Sequence, residues 1–408
     1  MEDVLSRFLR YVKIDTQSVE NGLHPSTGKQ FDLAKLLAAE LTALGASEVF
    51  LDEEFCYVYA RIPANLPEGK TAPKLAFIAH MDTSDAVSGA NVNPKVVVYE
   101  GGDIDLSGDG RYVLRRSEFP FLAHCIGQRL VVTDGSTLLG ADDKAGIAEI
   151  MTMTDRLLHD DSIRHGEISV CFTPDEEVGA GVAKIDLARL NADLGYTVDG
   201  GALGGMEYEN FNAASAVLRI TGRSIHPGSA KNVMKNAILM AMEFQSLLPP
   251  AETPAHTEGY EGFYHLCSLD GTVEQCTAAY IIRDHDRSRF EERKRHFAAA
   301  AEYLNGVYGA GSFAAELHDS YYNMKDCILP HMELIEAARS AMQELNITPV
   351  ISPIRGGTDG ATLSHMGLPC PNLCTGGYNC HGRYEFASVE EMEQISALLV
   401  RIAAKHAE

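Results

Sequence analysis

Apolar and polar positions along the first 210 residues fall into blocks of two periods. Residues 3–12 and 31–44 space their apolar side chains three and four apart, the spacing of one helix face, and Gly45 stops the second run. Around 75–82 the run KLAFIAHMD stays apolar until it ends in polar residues, which predicts a buried strand with its chemistry at the carboxyl end. Residues 144–158 return to helical period. EISVCFTPDEE at 167–177 repeats the apolar strand with an acidic tip, and YTVDGG at 196–201 does so a third time. Strand–helix alternation of this kind predicts an open α/β sheet, whose ligands gather beyond the carboxyl ends of its strands.

The texture changes after residue 210. ASAVLRITGRS at 214–224 alternates apolar and polar residues, as a half-exposed antiparallel strand does. A helix is predicted near 232–247, a strand pair around 263–283 and a charged helix at 287–306. That order reads as an α+β domain, residues 211–324, inserted into a body made of residues 1–210 and 325–408. Near the end, Ser388–Glu391 (S-x-x-E) has the capping-box spacing that opens a final helix running to Glu408.

A length of 408 residues suits two domains and a generous apolar core. The 57 acidic residues against 34 Lys and Arg leave a net charge of −23. Such a field repels phosphate backbones and anionic lipid, so neither nucleic acid nor a membrane is an expected partner. The apolar runs Leu75 to Ala79 and Ile168 to Phe172 are strand-length, far short of the ~20 residues of a spanning helix. The opening MEDVLSRFLRYVKID alternates charge with apolar residues, unlike a signal peptide. Nine cysteines, an odd number with no C-x-x-C pair, read as free thiols in a reducing cytoplasm.

Three predicted strand ends carry His80-Met-Asp82, Asp175-Glu176-Glu177 and Asp199. Side chains two apart on a strand share a face, so His80 and Asp82 point the same way. GADDKAG at 140–146 sets Asp142 and Asp143 just before a helix, and TGGYNCHG presents His381 between glycines and polar residues. Histidines and carboxylates gathered at strand tips are the ligand chemistry of zinc. One zinc wants about three protein ligands and a water, and two zincs that share a bridge need roughly five. His80, Asp142, Glu177, Asp199 and His381 make that five. Asp82 is then free to orient His80, and Glu176 to take a proton from an activated water. Each segment alone has a plainer reading: a structural histidine, a solvated acidic turn, the acidic first turn of a helix, or an ordinary glycine turn. The functional reading rests on all of them falling along one edge of an α/β sheet.

IAHMDTS, TLLGADDKAGIAEIM, FTPDEEVG, YTVDGG, SIHPGSAKNVMKNA, EGYEGFYHL, YIIRD, SYYNM, PIRGGTDGA, LPCPNL and TGGYNCHG together resemble the peptidase T family, tripeptide aminopeptidases of the di-zinc exopeptidase clan. The resemblance runs from about residue 7 to the last helix. It implies a catalytic α/β/α domain with a mixed sheet, a smaller ferredoxin-like lid that also serves dimerisation, and two zinc ions per subunit. By the same resemblance His80 and Asp199 bind one zinc, Glu177 and His381 the other, and Asp142 bridges them, often with a cis peptide after it. Asp82 braces His80, Glu176 is the general base, and His226 of SIHPG stabilises the oxyanion. Asn236, Arg283 and Arg355 match substrate-contacting positions, with an ion pair as the plainer reading of the arginines. Ala79 departs from the glycine usual before the histidine and touches no ligand atom. Cys380, next to His381, is expected to be buried packing, because neighbours in extended chain point oppositely.

The implied function is release of the N-terminal residue from tripeptides in the cytoplasm. Two alternatives remain open at this point. One is an aminoacylase, deacetylase or carboxypeptidase with the same metal set, and the other is a non-catalytic, metal-dependent peptide-binding protein.

Overall fold

The computed structural model describes residues 2–408. They separate into two compact units. The first comprises the residues up to Tyr208, Asp326–Ser352 and Thr358–Glu408; the second comprises Glu209–Lys325 and Pro353–Gly357. The short segment 353–357, which the linear reading left in the body, folds with the second unit for a visible reason. Ile354 N donates to Glu209 O, and the Arg355 guanidinium donates to the carbonyls of Thr257, Gly259 and Glu261.

The first unit is built on an eight-stranded mixed sheet. Its order is Ser47–Leu51, Val58–Ile62, Ile168–Thr173, Leu75–His80, Leu194–Gly200, Asn372–Cys374, Gly205–Glu207 and Val350–Ile351. The four inner strands, from Ile168–Thr173 to Asn372–Cys374, run parallel to one another. Val58–Ile62 and Gly205–Glu207 flank them antiparallel. All six residues of Leu75–His80 are buried, which suits a strand covered on both faces. Ala76 and Ile78 pack with Leu363 of the helix Asp359–His365 on one side. Phe77 stacks on Tyr196, whose hydroxyl meets His406 at the end of the helix Val389–Lys405 on the other. The result is a three-layered α/β/α unit.

A second sheet of this unit joins Gly377–Tyr378, Phe386–Ser388, Arg129–Val132 and Lys95–Val98, all antiparallel, over a small core that includes Leu106, Leu122, Leu130 and Phe386. It frames the loop that carries His381. The final helix is capped as its S-x-x-E pattern predicts, with Ser388 Oγ accepting from Glu391 N.

The second unit runs strand Asn212–Thr221, helix Ala237–Leu247, strands Phe263–Gly271 and Gln275–Asp284, helix Arg287–Tyr308 and strand Phe313–Tyr321. In sheet order these strands read second, third, first, fourth, all antiparallel, which is the ferredoxin-like arrangement. Both helices cover one face, and Phe244, Phe290, Phe297 and Leu304 fill the space between helices and sheet. Among the described residues no helix is long and apolar enough to cross a membrane.

Candidate metal centre

Parallel pairing brings the chemistry to one edge. His80 pairs with Thr173 and Ile78 with Thr197, so Asp199, two residues past Thr197, lies level with His80. The turn after Thr173 carries Asp175, Glu176 and Glu177 to the same end. A helix contributes Asp142: Ala141–His159 begins with non-helical backbone at Asp142 and Asp143, and the Asp142–Asp143 peptide is cis.

Two histidines address the two oxygens of one carboxylate. His80 Nε2 is 2.8 Å from Asp142 Oδ1, and His381 Nε2 is 3.1 Å from Asp142 Oδ2. On the first side His80 Nε2 is also 3.5 Å from Asp199 Oδ1; on the second, His381 Nε2 is 2.9 Å from Glu177 Oε2. Ligand atoms of His80, Asp142 and Glu177 lie within 4.8 Å of one another, as do those of His80, Glu176 and Asp199. Asp82 is wholly buried behind them. Its Oδ1 is 3.2 Å from His80 Nδ1 and accepts from Glu176 N, while Oδ2 accepts from Glu177 N. One carboxylate thus orients a histidine and pins the turn bearing both glutamates.

The electrostatics call for added positive charge. Burial pushes Asp199 up to about 7 against the pull of His80, and burial with Asp199 nearby drives Glu176 well above the usual carboxylate range. Burial would lower His80, yet Asp199 and Asp142 hold it well above the usual imidazole range. Hydrogen bonds to Asp142 and Glu177 raise His381 to about 11. Asp142 stays well below the usual range despite burial, held there by His381 and His80. Packed carboxylates that must share protons or imidazolium charge are what divalent cations neutralise. The buried Glu177 Oε1 has no protein partner. Two imidazole nitrogens and three carboxylates facing common space fit divalent metal.

Several supporting residues act through contacts that the sequence does not announce. Asp175, in left-handed backbone at φ 56°, is fully buried and accepts from Ser26 N, Ser26 Oγ and Gln30 Nε2 at 2.6–2.7 Å. Asn372 accepts from Asp199 N and donates to Glu207, whose carboxyl burial raises to about 7. Asp143, expected only as the partner of Asp142, accepts from His80 N. Glu385 accepts from three backbone amides beside Asp142. The side chains of Asp175, Asn372 and Glu385 act across long sequence separations, where no local pattern signals them.

Cys380 corrects an expectation. It is exposed, because the strand ends at Tyr378 and both Asn379 and His381 turn into left-handed backbone, so extended-chain alternation no longer applies.

The remaining candidates belong to the second unit. His226 is exposed, and its Nδ1 accepts from Gly228 N, which leaves the neutral ring its proton on Nε2, pointing a donor outward. Asn236 caps the helix Ala237–Leu247, its Oδ1 accepting from Ile238 N and Leu239 N. Arg283 lies near the rings of Phe263 and Tyr321 and donates from Nη1 to Arg355 O, with a buried, unpartnered Nε. Arg355 commits both terminal nitrogens to Thr257, Gly259 and Glu261. Among the described residues neither arginine makes the ion pair of the plainer reading.

Comparison with known proteins agrees with this architecture. Residues 208–312 match the family described as a peptidase dimerisation domain. The protein named Peptidase T from Desulfitobacterium hafniense is 52% identical over 410 residues, covering 100% of this chain and 99% of its own. The crystal structure of aminopeptidase PepT from Bacillus cereus superposes with a TM-score of 0.79 at 24% identity, over 99% of this chain and 98% of that one. The YXEP protein of Bacillus subtilis, described as a dinuclear metal binding peptidase from the M20 family, gives a TM-score of 0.65 at 15% identity, over 98% of this chain and 96% of that one. With half of all positions shared along the whole length, the chain belongs to the peptidase T family.

Proposed function

We propose that the protein is a tripeptide aminopeptidase working with two zinc ions, and the observation that carries this is Asp142, one oxygen turned to each histidine. In this reading His80 and Asp199 would hold one ion, Glu177 and His381 the other, and Asp142 would serve both. When bound there, such ions would supply Lewis acidity for a carbonyl and for water. Asp82 keeps His80 in the tautomer that turns Nε2 to the ligand side. Glu176, raised by burial, takes the proton of the attacking water and returns it to the departing amine as the C–N bond breaks. His226 donates from Nε2 to the carbonyl oxygen as negative charge develops there, a contribution of about 3 kcal/mol for a well-aimed donor. Of the substrate-contacting candidates, Arg283 keeps an Nε donor for the peptide's carboxylate, Arg355 holds the segment 257–261, and Asn236 fixes the start of the helix Ala237–Leu247.

The ferredoxin-like unit and its match to a dimerisation domain support a homodimer. Nine unpaired thiols suit a reducing cytoplasm. The test is amino-acid release from an unblocked tripeptide, compared with the dipeptide, the tetrapeptide and the N-acetyl tripeptide, before and after chelation and zinc add-back. Release of only the N-terminal residue of the tripeptide, lost on chelation and restored by zinc, is the expected result. Cleavage of the blocked peptide instead would assign the chain to the acylase branch, and metal binding without hydrolysis would make it a binding protein.

A further inference from the structure

We propose that Glu385 is a positioning residue for the metal centre, whose buried carboxylate sets the separation between the segment bearing His381 and the segment bearing Asp142; the proposal rests on the two-metal reading above. Glu385 is 2% exposed. Its Oε2 accepts from Leu139 N at 2.7 Å and Gly140 N at 2.8 Å, and its Oε1 from Asp142 N at 3.1 Å. These amides open the helix Ala141–His159, where the N-cap is Gly140 at φ 81° and has no side chain to satisfy them. The first amides of a helix need acceptors and favour negative charge. Here the acceptor arrives from a residue some 245 positions away.

A helix cap alone could be supplied by any nearby Ser or Asp. What distinguishes Glu385 is the loop it belongs to. Asn379 Nδ2 donates to Tyr384 O, Glu385 N to Gly382 O, and Arg383 Nη1 to Gly135 O, so residues 379–385 form a closed loop with His381 inside it at φ 63°. Glu385 fastens that loop to the backbone amide of Asp142, while His381 in the same loop faces the Asp142 carboxylate at 3.1 Å. Asp142 is therefore held at both ends by one loop, and the distance a metal ion must span between Asp142 and His381 follows from the reach of the Glu385 side chain.

Glu385→Gln tests this. The amide can keep its oxygen on Leu139 and Gly140, but its NH2 then faces Asp142 N–H, so the bond to Asp142 is lost while the helix start stays capped. The expected result is a 10- to 100-fold weaker affinity for one of the two zinc equivalents, measured by competition with a chromophoric chelator. The absorption bands of the cobalt-loaded protein should change with it, and the melting temperature of the metal-free protein should fall by only a few degrees. Asp3→Ala, which removes the cap of the helix Val4–Tyr11, serves as the control for lost stability and should leave both zinc affinities unchanged. If Glu385→Gln does not fold, Glu385→Asp replaces it, keeping the charge but shortening the reach by about 1.5 Å; the same weakening is expected. Wild-type zinc affinity in the folded variant, or an equal loss in Asp3→Ala, would overturn the proposal. Failure of the unmutated protein to take up two equivalents would instead overturn the two-metal reading on which it stands.

Discussion

Asp82 and Glu176 show how much a single side chain does in this centre. Asp82 touches His80 with its carboxylate and holds the amides of Glu176 and Glu177, so the proposed base and the proposed ligand share one anchor with a histidine. Glu176 itself lies among carboxylates, and burial with Asp199 keeps its proton affinity high. Glu176→Gln preserves the shape of the side chain and removes the proton acceptor. Turnover should fall about 10²- to 10⁴-fold while both metal equivalents remain bound, as measured by steady-state kinetics beside metal analysis; near-normal turnover would remove Glu176 from its role. His80, Glu177 and Asp199 were legible as candidates because a strand that ends in H-x-D or an acidic turn declares its own tip, whereas Asp142 at a helix start and His381 in a loop stood out only within the motifs GADDKAG and TGGYNCHG. Cys380 was misread because alternation holds only while the chain stays extended, and here it does not.

At the level of elements, the close contact between the helix Ala141–His159 and the strand Leu194–Gly200 matters most. A Cβ at Gly146 would overlap Val198 O and crowd the Asp143 carboxylate. Gly146→Ala should therefore push the helix off the sheet, at a cost of about 3 kcal/mol in stability, and lower metal affinity because Asp142 moves with the helix start. Thermal melting of the metal-free variant and a zinc titration check the two effects separately. Sequence period located this helix and the strands that carry ligands. It did not reveal the non-helical start at Asp142 and Asp143, where the amides of Leu139, Gly140 and Asp142 find their acceptor in Glu385 from elsewhere in the chain. Nor did it find the small sheet around Lys95–Val98 and Arg129–Val132, whose strands of four residues are too short to show a period. The last strand of the ferredoxin-like unit, Phe313–Tyr321, escaped because its inward series Phe313, Ala315 and Leu317 includes a small residue and gives way to the exposed Asp319, which leaves the apolar alternation too weak to read.

For the molecule as a whole, stability should depend on pH through His406. Its ring, packed by Tyr196 at the end of the last helix, is partly buried, and burial lowers its pKa from 6.5 to about 4. Above pH 6.5 the histidine is neutral in both folded and unfolded chains and has no effect. As pH falls from 6.5 towards 4 the unfolded chain takes a proton that the folded chain refuses, so stability is lost through that window, by at most ~1.4 kcal/mol per pH unit. His406→Gln can still donate to the Tyr196 hydroxyl but does not titrate. Denaturant unfolding of both proteins between pH 7 and pH 4 should show a shallower decline for the variant; parallel curves would exclude the histidine as the cause. The net charge of −23 adds self-repulsion in both proteins alike, so the difference between them isolates one ring.

Amphipathic period, the buried run LAFIAH and the acidic strand tips are local features, and from them the sequence by itself determined an α/β body, an inserted α+β unit and which candidate residues gather at one sheet edge. Tertiary structure alone decided how those residues are held. Asp175 on Ser26 and Gln30, Asp143 under His80, Asn372 behind Asp199 and Glu385 across the start of a helix all meet backbone or side-chain donors far away in the chain. The segment 353–357 likewise sits with the second unit because Arg355 finds three carbonyls there. A buried carboxylate must satisfy its oxygens wherever free amides converge, and that convergence exists only once the chain has folded.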